Sequence, residues 1–124
     1  KRSTNGGRRR GLKSPAGGAW EKLSDGTYKY HFAEGLEATD YWLEIDGTWY
    51  YFGHDNIMQT GWVKDDGNWY YMDLKTGALF TGWHEISGKW YYFHEEGDGF
   101  KGTLMVNCET PDGYTVDVNG ALVE

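Results

Sequence analysis

The chain carries a recurring set of aromatic residues whose types and spacing suit the binding of a cation or of a flat apolar ligand. Three copies of Trp-Tyr-Tyr begin at Trp49, Trp69 and Trp90, and each follows another tryptophan by seven residues. Because aromatic rings carry negative charge on their faces, a few of them together can enclose a cation. The same faces can pack on sugar rings. The pattern therefore predicts sites built from rings.

These aromatic residues belong to an internal repeat of 20 to 22 residues. The leading tryptophans are Trp20, Trp42, Trp62 and Trp83. The predicted repeats are 20–41, 42–61, 62–82 and 83–103. A last segment, 104–124, departs from the repeat and is predicted to form a hairpin that caps the open end.

Each repeat has the local chemistry of a β-hairpin. Asp46-Gly47, Asp66-Gly67 and Ser87-Gly88 lie between short aromatic runs, where a tight turn is expected, and Asp25-Gly26 does the same in the first repeat. No stretch shows a sustained 3.6-residue period, so little helix is expected. The predicted fold is all-β, a solenoid of stacked β-hairpins that bury aromatic residues between them.

The length and the charge distribution of the chain limit the number of domains and the kinds of ligand that it can bind. The 124 residues suit one domain, and six of the twelve basic residues precede residue 14. The first acid is Glu21, so residues 14–124 carry a net charge of −13, which repels nucleic acid and attracts cations. Residues 1–16 are predicted to be a basic disordered tail or linker, and residues 17–124 to be the repeat module. No apolar run is long enough to span a membrane.

Catalytic and metal chemistry have little support in the sequence. The acids cluster in turns, no nucleophile and base stand out as a pair, and the four histidines have no metal-ligand spacing. Cys108 is the single cysteine, which excludes an internal disulfide. We therefore expect a protein that is not an enzyme and that needs neither a metal nor a cofactor.

At these positions the sequence resembles the choline-binding repeat family. The matching motifs are Gly61-Trp62-Val63-Lys64, Trp69-Tyr70-Tyr71 and Thr81-Gly82-Trp83, and the tail from Thr110 to Val116 resembles the family's terminal segment. The resemblance covers about residues 17–124. It implies a superhelical β-solenoid in which each choline site takes two aromatic residues from one hairpin, one from the next, and often a methionine.

Carried onto this sequence, the family pattern implies two interior choline sites. Alternation puts Trp49 and Tyr51 on one strand face and Tyr50 on the other. The third tyrosine of each triplet is expected to serve the preceding site, and the middle tyrosines, Tyr50, Tyr70 and Tyr91, are expected to pack in the core. The first site is Trp42, Trp49 and Tyr71 with Met58, and the second is Trp62, Trp69 and Tyr92 with Leu79.

Two weaker sites are expected at the ends. The first comprises Trp20, Tyr28 and Tyr51, where a tyrosine replaces the usual tryptophan and no methionine is expected at the fourth position. The second comprises Trp83, Trp90 and Tyr114, where the partner segment lacks the Trp-Tyr-Tyr motif.

The resemblance implies a non-catalytic module of the bacterial cell surface, extracellular and associated with the wall. It would anchor a larger protein by binding the choline of teichoic and lipoteichoic acids. Two alternatives stay open: a carbohydrate (glucan)-binding repeat, and a structural or adhesion spacer with degenerate sites. The sequence leaves the oligomeric state open. Apolar and acidic residues beside the rings favour a cation over a sugar.

Overall fold

The computed structural model describes residues 11–13, 18–32, 37, 41–95 and 101–124. Within these residues the chain is all-β, and it forms no helix. The strands are β1 (Gly11–Lys13), β2 (Ala19–Lys22), β3 (Tyr28–His31), β4 (Tyr41–Ile45), β5 (Thr48–Phe52), β6 (Gly61–Asp65), β7 (Asn68–Met72), β8 (Gly82–Ile86), β9 (Lys89–Phe93), β10 (Cys108–Glu109) and β11 (Thr115–Val116).

Consecutive strands pair as antiparallel hairpins, which confirms the predicted architecture of hairpin repeats. The pairs are β2–β3, β4–β5, β6–β7, β8–β9 and β10–β11. The last pair belongs to the predicted C-terminal cap. In addition, β1 pairs in parallel with β4, so residues 11–13 form a strand where a disordered tail was expected. The rest of residues 1–16 lies outside the described residues, so for them the prediction of a disordered tail stays untested.

Turn residues close three of the hairpins as predicted. Asp46 and Gly47 have φ angles of 52° and 83°, and the pairs at 66–67 and 87–88 are nearly identical. Two successive left-handed residues define the type I′ turn, whose twist matches that of the strands. The first hairpin differs, because Lys22 pairs with Tyr28 and leaves a five-residue loop. In that loop the Asp25 carboxylate accepts hydrogen bonds from the Thr27 amide and hydroxyl.

The described chain divides into two compact units, each with its own core. Of the described residues, those within 11–61 and 72–79 form one unit, and those within 62–71 and 80–124 form the other. The core of the first unit is formed by Tyr30, Leu43, Ile45, Phe52 and Met58. The core of the second is formed by Tyr71, Ile86, Phe93 and Leu104. In both units an aromatic residue of a second strand is fully buried, at Phe52 and Phe93.

After each hairpin the chain returns along the second strand and bonds to the hairpin one repeat earlier. One residue in this return segment donates its amide to the carbonyl of an aromatic residue on that earlier hairpin. The four bonds are Met58 to Tyr28, Leu79 to Trp49, Leu104 to Trp69 and Leu122 to Trp90, at 2.8, 3.0, 2.8 and 2.9 Å. This contact sets which apolar side chain closes each aromatic face.

Candidate functional site

Three open cavities are lined by aromatic rings, and each lies within one unit. Cavity A is lined by Trp20, Tyr28, Tyr50, Met58, Lys75 and Thr76. Cavity B is lined by Trp62, Trp69, Tyr91, Leu104, Val106, Val118 and Asn119. Cavity C is lined by Trp83, Trp90, Asp112, Tyr114 and Leu122. Their volumes are about 410, 400 and 420 Å³ respectively.

Cavity B shows how the hairpins position the rings. Trp62 on β6 and Trp69 on β7 face the same side of their hairpin, with centroids 6.1 Å apart and planes at 87°. Tyr91 of the next hairpin stands 5.1 Å from Trp62 at 78°. Both tryptophans remain about 40% exposed, at 39% and 41%. Trp69 and Tyr91 thus both stand steeply to the Trp62 ring, and the three rings form a corner that a small cation can enter.

The fourth wall of cavity B is apolar. Leu104 is held there by the bond from its amide to the Trp69 carbonyl. Val106 and Val118 add further apolar surface, and Asn119 is the one lining residue that is neither aromatic nor aliphatic. The cavity therefore offers mainly ring faces and aliphatic groups, and none of its lining residues is charged.

Cavity A repeats this arrangement in the other unit. Trp20 lies 6.2 Å from Tyr28 at 90° and 4.9 Å from Tyr50 at 72°. The fourth wall is Met58, which is 7% exposed and is fixed by its amide bond to the Tyr28 carbonyl. A thioether packs readily on aromatic rings, so Met58 suits this position. Burial raises the pKa of the Tyr50 phenol, which keeps that ring neutral.

Cavity C has a carboxylate among its lining residues. Trp83 stands 5.8 Å from Tyr114 at 89°. The indole Nε1 of Trp83 donates a 2.9 Å hydrogen bond to Oδ2 of Asp112. Asp112 also accepts a hydrogen bond from the Thr110 hydroxyl, and these two bonds, that from Thr110 first, lower its pKa. The Asp112 carboxylate is therefore ionised at neutral pH and fixed against the ring.

The third tyrosines of the triplets occupy different places from those expected. Tyr71 lies 5.1 Å from Trp62, and Tyr92 lies 5.2 Å from Trp83, in each case against the leading tryptophan of its own hairpin. Tyr51 likewise lies 4.8 Å from Trp42. The middle tyrosines Tyr50 and Tyr91, which were assigned to packing, line cavities A and B.

The expected fourth walls are displaced by one repeat. Met58 was placed with Trp42 and Trp49, but it closes cavity A. Leu79 was placed with Trp62, but its amide bonds to the Trp49 carbonyl. The reason is the direction of the return segment, which runs back to the preceding hairpin.

Of the remaining predicted site residues, the structure brings only some together in one cavity. Trp62 and Trp69 come together in cavity B, Trp20 and Tyr28 in cavity A, and Trp83, Trp90 and Tyr114 in cavity C. Of the first interior site, Trp42 and Trp49 lie in one unit and Tyr71 in the other. Trp42 is 1% exposed, which leaves its ring little accessible surface.

Sequence reasoning missed ten of the lining residues that the structure identifies. They include two rings, Tyr50 and Tyr91, two leucines, Leu104 and Leu122, and the carboxylate of Asp112. Strand alternation contained a signal for the two tyrosines. Since Trp69 and Tyr71 share a strand face, the ring that closes the site must come from the opposite face of the next hairpin, where the middle tyrosine points.

The charge around the rings differs between cavities. The Lys64 ammonium lies 5.7 Å from the Trp69 ring centroid, a cation–π distance.

Among the residues that the structure describes, no three His, Cys, Asp or Glu side chains form a group that could hold a metal ion. No helix of the described chain is long and apolar enough to cross a membrane.

Hairpins with ring-lined cavities at three of the four repeats define a class of aromatic-cage repeat module. The model of the choline-binding repeat matches residues 38–81 and 80–114. The chain belongs to the choline-binding repeat family. No curated protein matches the chain.

Solved structures of choline-binding proteins are similar to this chain. Choline binding protein F of Streptococcus pneumoniae is 32% identical, with a TM-score of 0.57 over 85% of this chain and 47% of that one. A choline binding domain from the same species is 38% identical, with a TM-score of 0.60 over 70% of this chain and 96% of that one. A multimodular pneumococcal cell wall endolysin from phage Cp-1, complexed with choline, is 34% identical, with a TM-score of 0.57 over 85% of this chain and 30% of that one. The chain thus spans less than half the length of choline binding protein F.

Proposed function

We propose that this chain is a non-catalytic module that binds choline in its aromatic cavities and thereby holds a larger protein on the bacterial cell wall. The observation that carries the proposal is the recurrence of one arrangement in cavities A, B and C. Each combines two rings of one hairpin, a ring of the following segment, and an apolar residue bonded back to the first hairpin.

The chemistry of the cavities suits a quaternary ammonium. A trimethylammonium group has no N–H to donate, so a site selects it through ring faces and apolar contact rather than through hydrogen bonds. Cation–π attraction contributes about 0.5–2 kcal/mol per ring, so three rings support binding on the order of millimolar. Family membership and the choline complex of the phage endolysin support the same ligand.

Weak individual sites suit a repetitive ligand. Several cavities on one chain can engage successive cholines of a polymer, and the second and third contacts become intramolecular. Choline-bearing teichoic and lipoteichoic acids are polymers of this kind, which places the proposed site of action outside the cell at the wall. The net charge of −13 on residues 14–124 also favours the approach of a cationic ligand.

The proposal is tested by titrating the protein with choline and, as the matched control, with isomaltose. A ligand that binds only the folded state raises the thermal midpoint, and tenfold saturation of one site adds about 1.4 kcal/mol. We expect choline at about 10 mM to raise the midpoint by several degrees and isomaltose to leave it unchanged. Equal or greater stabilisation by isomaltose would replace this proposal with a glucan-binding function, and no response to either would support a spacer.

A further inference from the structure

The three cavities have equivalent sets of aromatic rings but differ in the charged groups beside those rings. Cavity A has Lys75 among its lining residues. Lys64 is outside the lining of cavity B, but its ammonium lies 5.7 Å from the centroid of the Trp69 ring, which is a wall of that cavity. Cavity C has no lysine in its lining and instead has Asp112.

A second carboxylate accompanies the C-terminal cavity. On β8, Glu85 pairs directly with Trp90 across the hairpin, at the position that Lys64 occupies on β6. The two hairpins therefore present opposite charges next to the equivalent tryptophan. The rings of cavity C therefore have the Asp112 carboxylate in their lining and Glu85 paired with Trp90, whereas a ring of cavity B has an ammonium group beside it.

From this difference, and on the basis of the proposed choline-binding function, we propose that cavity C binds a quaternary ammonium more tightly than cavity B. The Asp112 carboxylate is the residue that makes it selective for a cation over a neutral ligand of the same shape. This ranking differs from the sequence-based expectation, in which the interior sites dominate and the C-terminal site is weak.

The position of Asp112 allows its charge to act on a ligand directly. Its Oδ2 lies 2.9 Å from the indole nitrogen of Trp83, which is a wall of the cavity. A cation on that ring would be roughly 6 Å from the carboxylate, and because Asp112 is exposed, an effective dielectric constant of about 40–80 applies. Coulomb attraction then corresponds to an affinity gain of about three- to tenfold, and salt weakens it.

The Asp112→Asn substitution separates charge from hydrogen bonding. The asparagine carbonyl can still accept the bond from Trp83. Its amide group can donate to the Thr110 hydroxyl, because that hydroxyl already lies 3.2 Å from the Tyr114 carbonyl and can donate there instead. The substitution is nearly isosteric, so the cavity keeps its shape while its negative charge is lost.

The experiment follows the indole N–H signals of the ¹⁵N-labelled protein during two titrations, with Trp→Phe variants used to assign Trp83 and Trp69. The ligands are choline and 3,3-dimethylbutan-1-ol, which has the same shape and no charge. In the native protein we expect choline to saturate the Trp83 signal at a lower concentration than the Trp69 signal. Asp112→Asn should weaken choline binding at Trp83 about three- to tenfold and leave the neutral alcohol unchanged.

Two further variants control for net charge and for folding. Glu109→Gln removes the same charge from the cap at a residue outside the cavity lining and should leave the Trp83 titration unchanged. Lys64→Gln should strengthen choline binding at Trp69, by about twofold or more, without changing Trp83. The Lys64→Gln result tests the charge argument even where Asp112→Asn fails to fold.

The outcomes distinguish this inference from the proposed function. If choline shifts no indole signal, the proposed function is wrong. If choline binds but cavity C is no tighter than cavity B, or Asp112→Asn has no effect, the inference is wrong and the proposed function stands. Equal weakening of choline and of the alcohol would show that Asp112 acts by holding the Trp83 ring, which also overturns the charge argument.

Discussion

Replacing Tyr91 by leucine tests the geometry of cavity B. Its ring stands 5.1 Å from Trp62 at 78° and supplies one of three aromatic walls. Tyr91→Leu keeps an apolar side chain but removes the ring face, so one cation–π contribution of about 1 kcal/mol is lost. Since 1.4 kcal/mol corresponds to a tenfold change in affinity, we expect choline binding at cavity B to weaken about fivefold.

The assay is the choline titration of the Trp62 and Trp69 indole signals, with folding verified by urea denaturation. Tyr91 also packs against the core of its unit, so a loss of about 1–2 kcal/mol in unfolding free energy is expected beside the binding effect. The binding constant is measured on the folded fraction, which keeps the two effects apart.

Tyr92→Leu is the matched control, because the two tyrosines are adjacent on one strand and face opposite sides. Tyr92 is 8% exposed and lies against Trp83, so its replacement should cost stability and leave the Trp62 and Trp69 titrations unchanged. The reasoning would be refuted if Tyr92→Leu weakened binding at these two tryptophans and Tyr91→Leu did not. The sequence-based assignment of Tyr92 to this site would then be the correct one.

Three further substitutions test the packing, pH dependence and turns of the fold. Gly77 and Gly67 have similar φ angles, 78° and 84°, but a Cβ at Gly77 would meet the Met58 thioether and a Cβ at Gly67 would meet nothing. Gly77→Ala should therefore lower the unfolding free energy by about 2 kcal/mol or more, and Gly67→Ala by about 1 kcal/mol. Equal losses in urea denaturation would contradict the contact. Backbone hydrogen bonds lower the pKa of Asp73 below its ordinary value of 3.8, so its ionised form stabilises the native state above about pH 4 and this contribution is lost as the pH falls further. Asp73→Asn should flatten the acid limb of a stability–pH curve, and an unchanged limb would show that this carboxylate does not contribute. Ser87 has a φ of 53°, which asparagine tolerates better, so Ser87→Asn should raise the unfolding free energy by about 0.5 kcal/mol, and a decrease would contradict the turn assignment.

The hairpins were predictable because their determinants are local. A two-residue turn needs left-handed backbone at both positions, and Asp-Gly supplies it at 46–47 and 66–67. Alternation along a strand then decides which side chains share a face. The repeat spacing of the tryptophans makes the same local structure recur, so fold class and family follow from the sequence alone.

The composition of each cavity depends on contacts between residues far apart in the chain. Leu104 closes cavity B because its amide bonds to the Trp69 carbonyl, 35 residues earlier. Its equivalence to Met58 is hidden in the sequence, since Met58 follows Trp49 by nine residues and Leu104 follows Trp90 by fourteen. Because loop length varies at little cost in free energy, the spacing of residues in the sequence does not indicate which residue bonds back to the earlier hairpin.

The sequence by itself determined that the rings exist, that they recur, and that each hairpin presents two of them on one face. Only the tertiary structure decided which tyrosine completes each cavity and which apolar residue closes it. It also brought Asp112 to Trp83, 29 residues away along the chain. The physical reason is that turn chemistry and strand alternation act within a few residues, whereas cavity walls are set by backbone hydrogen bonds between successive repeats.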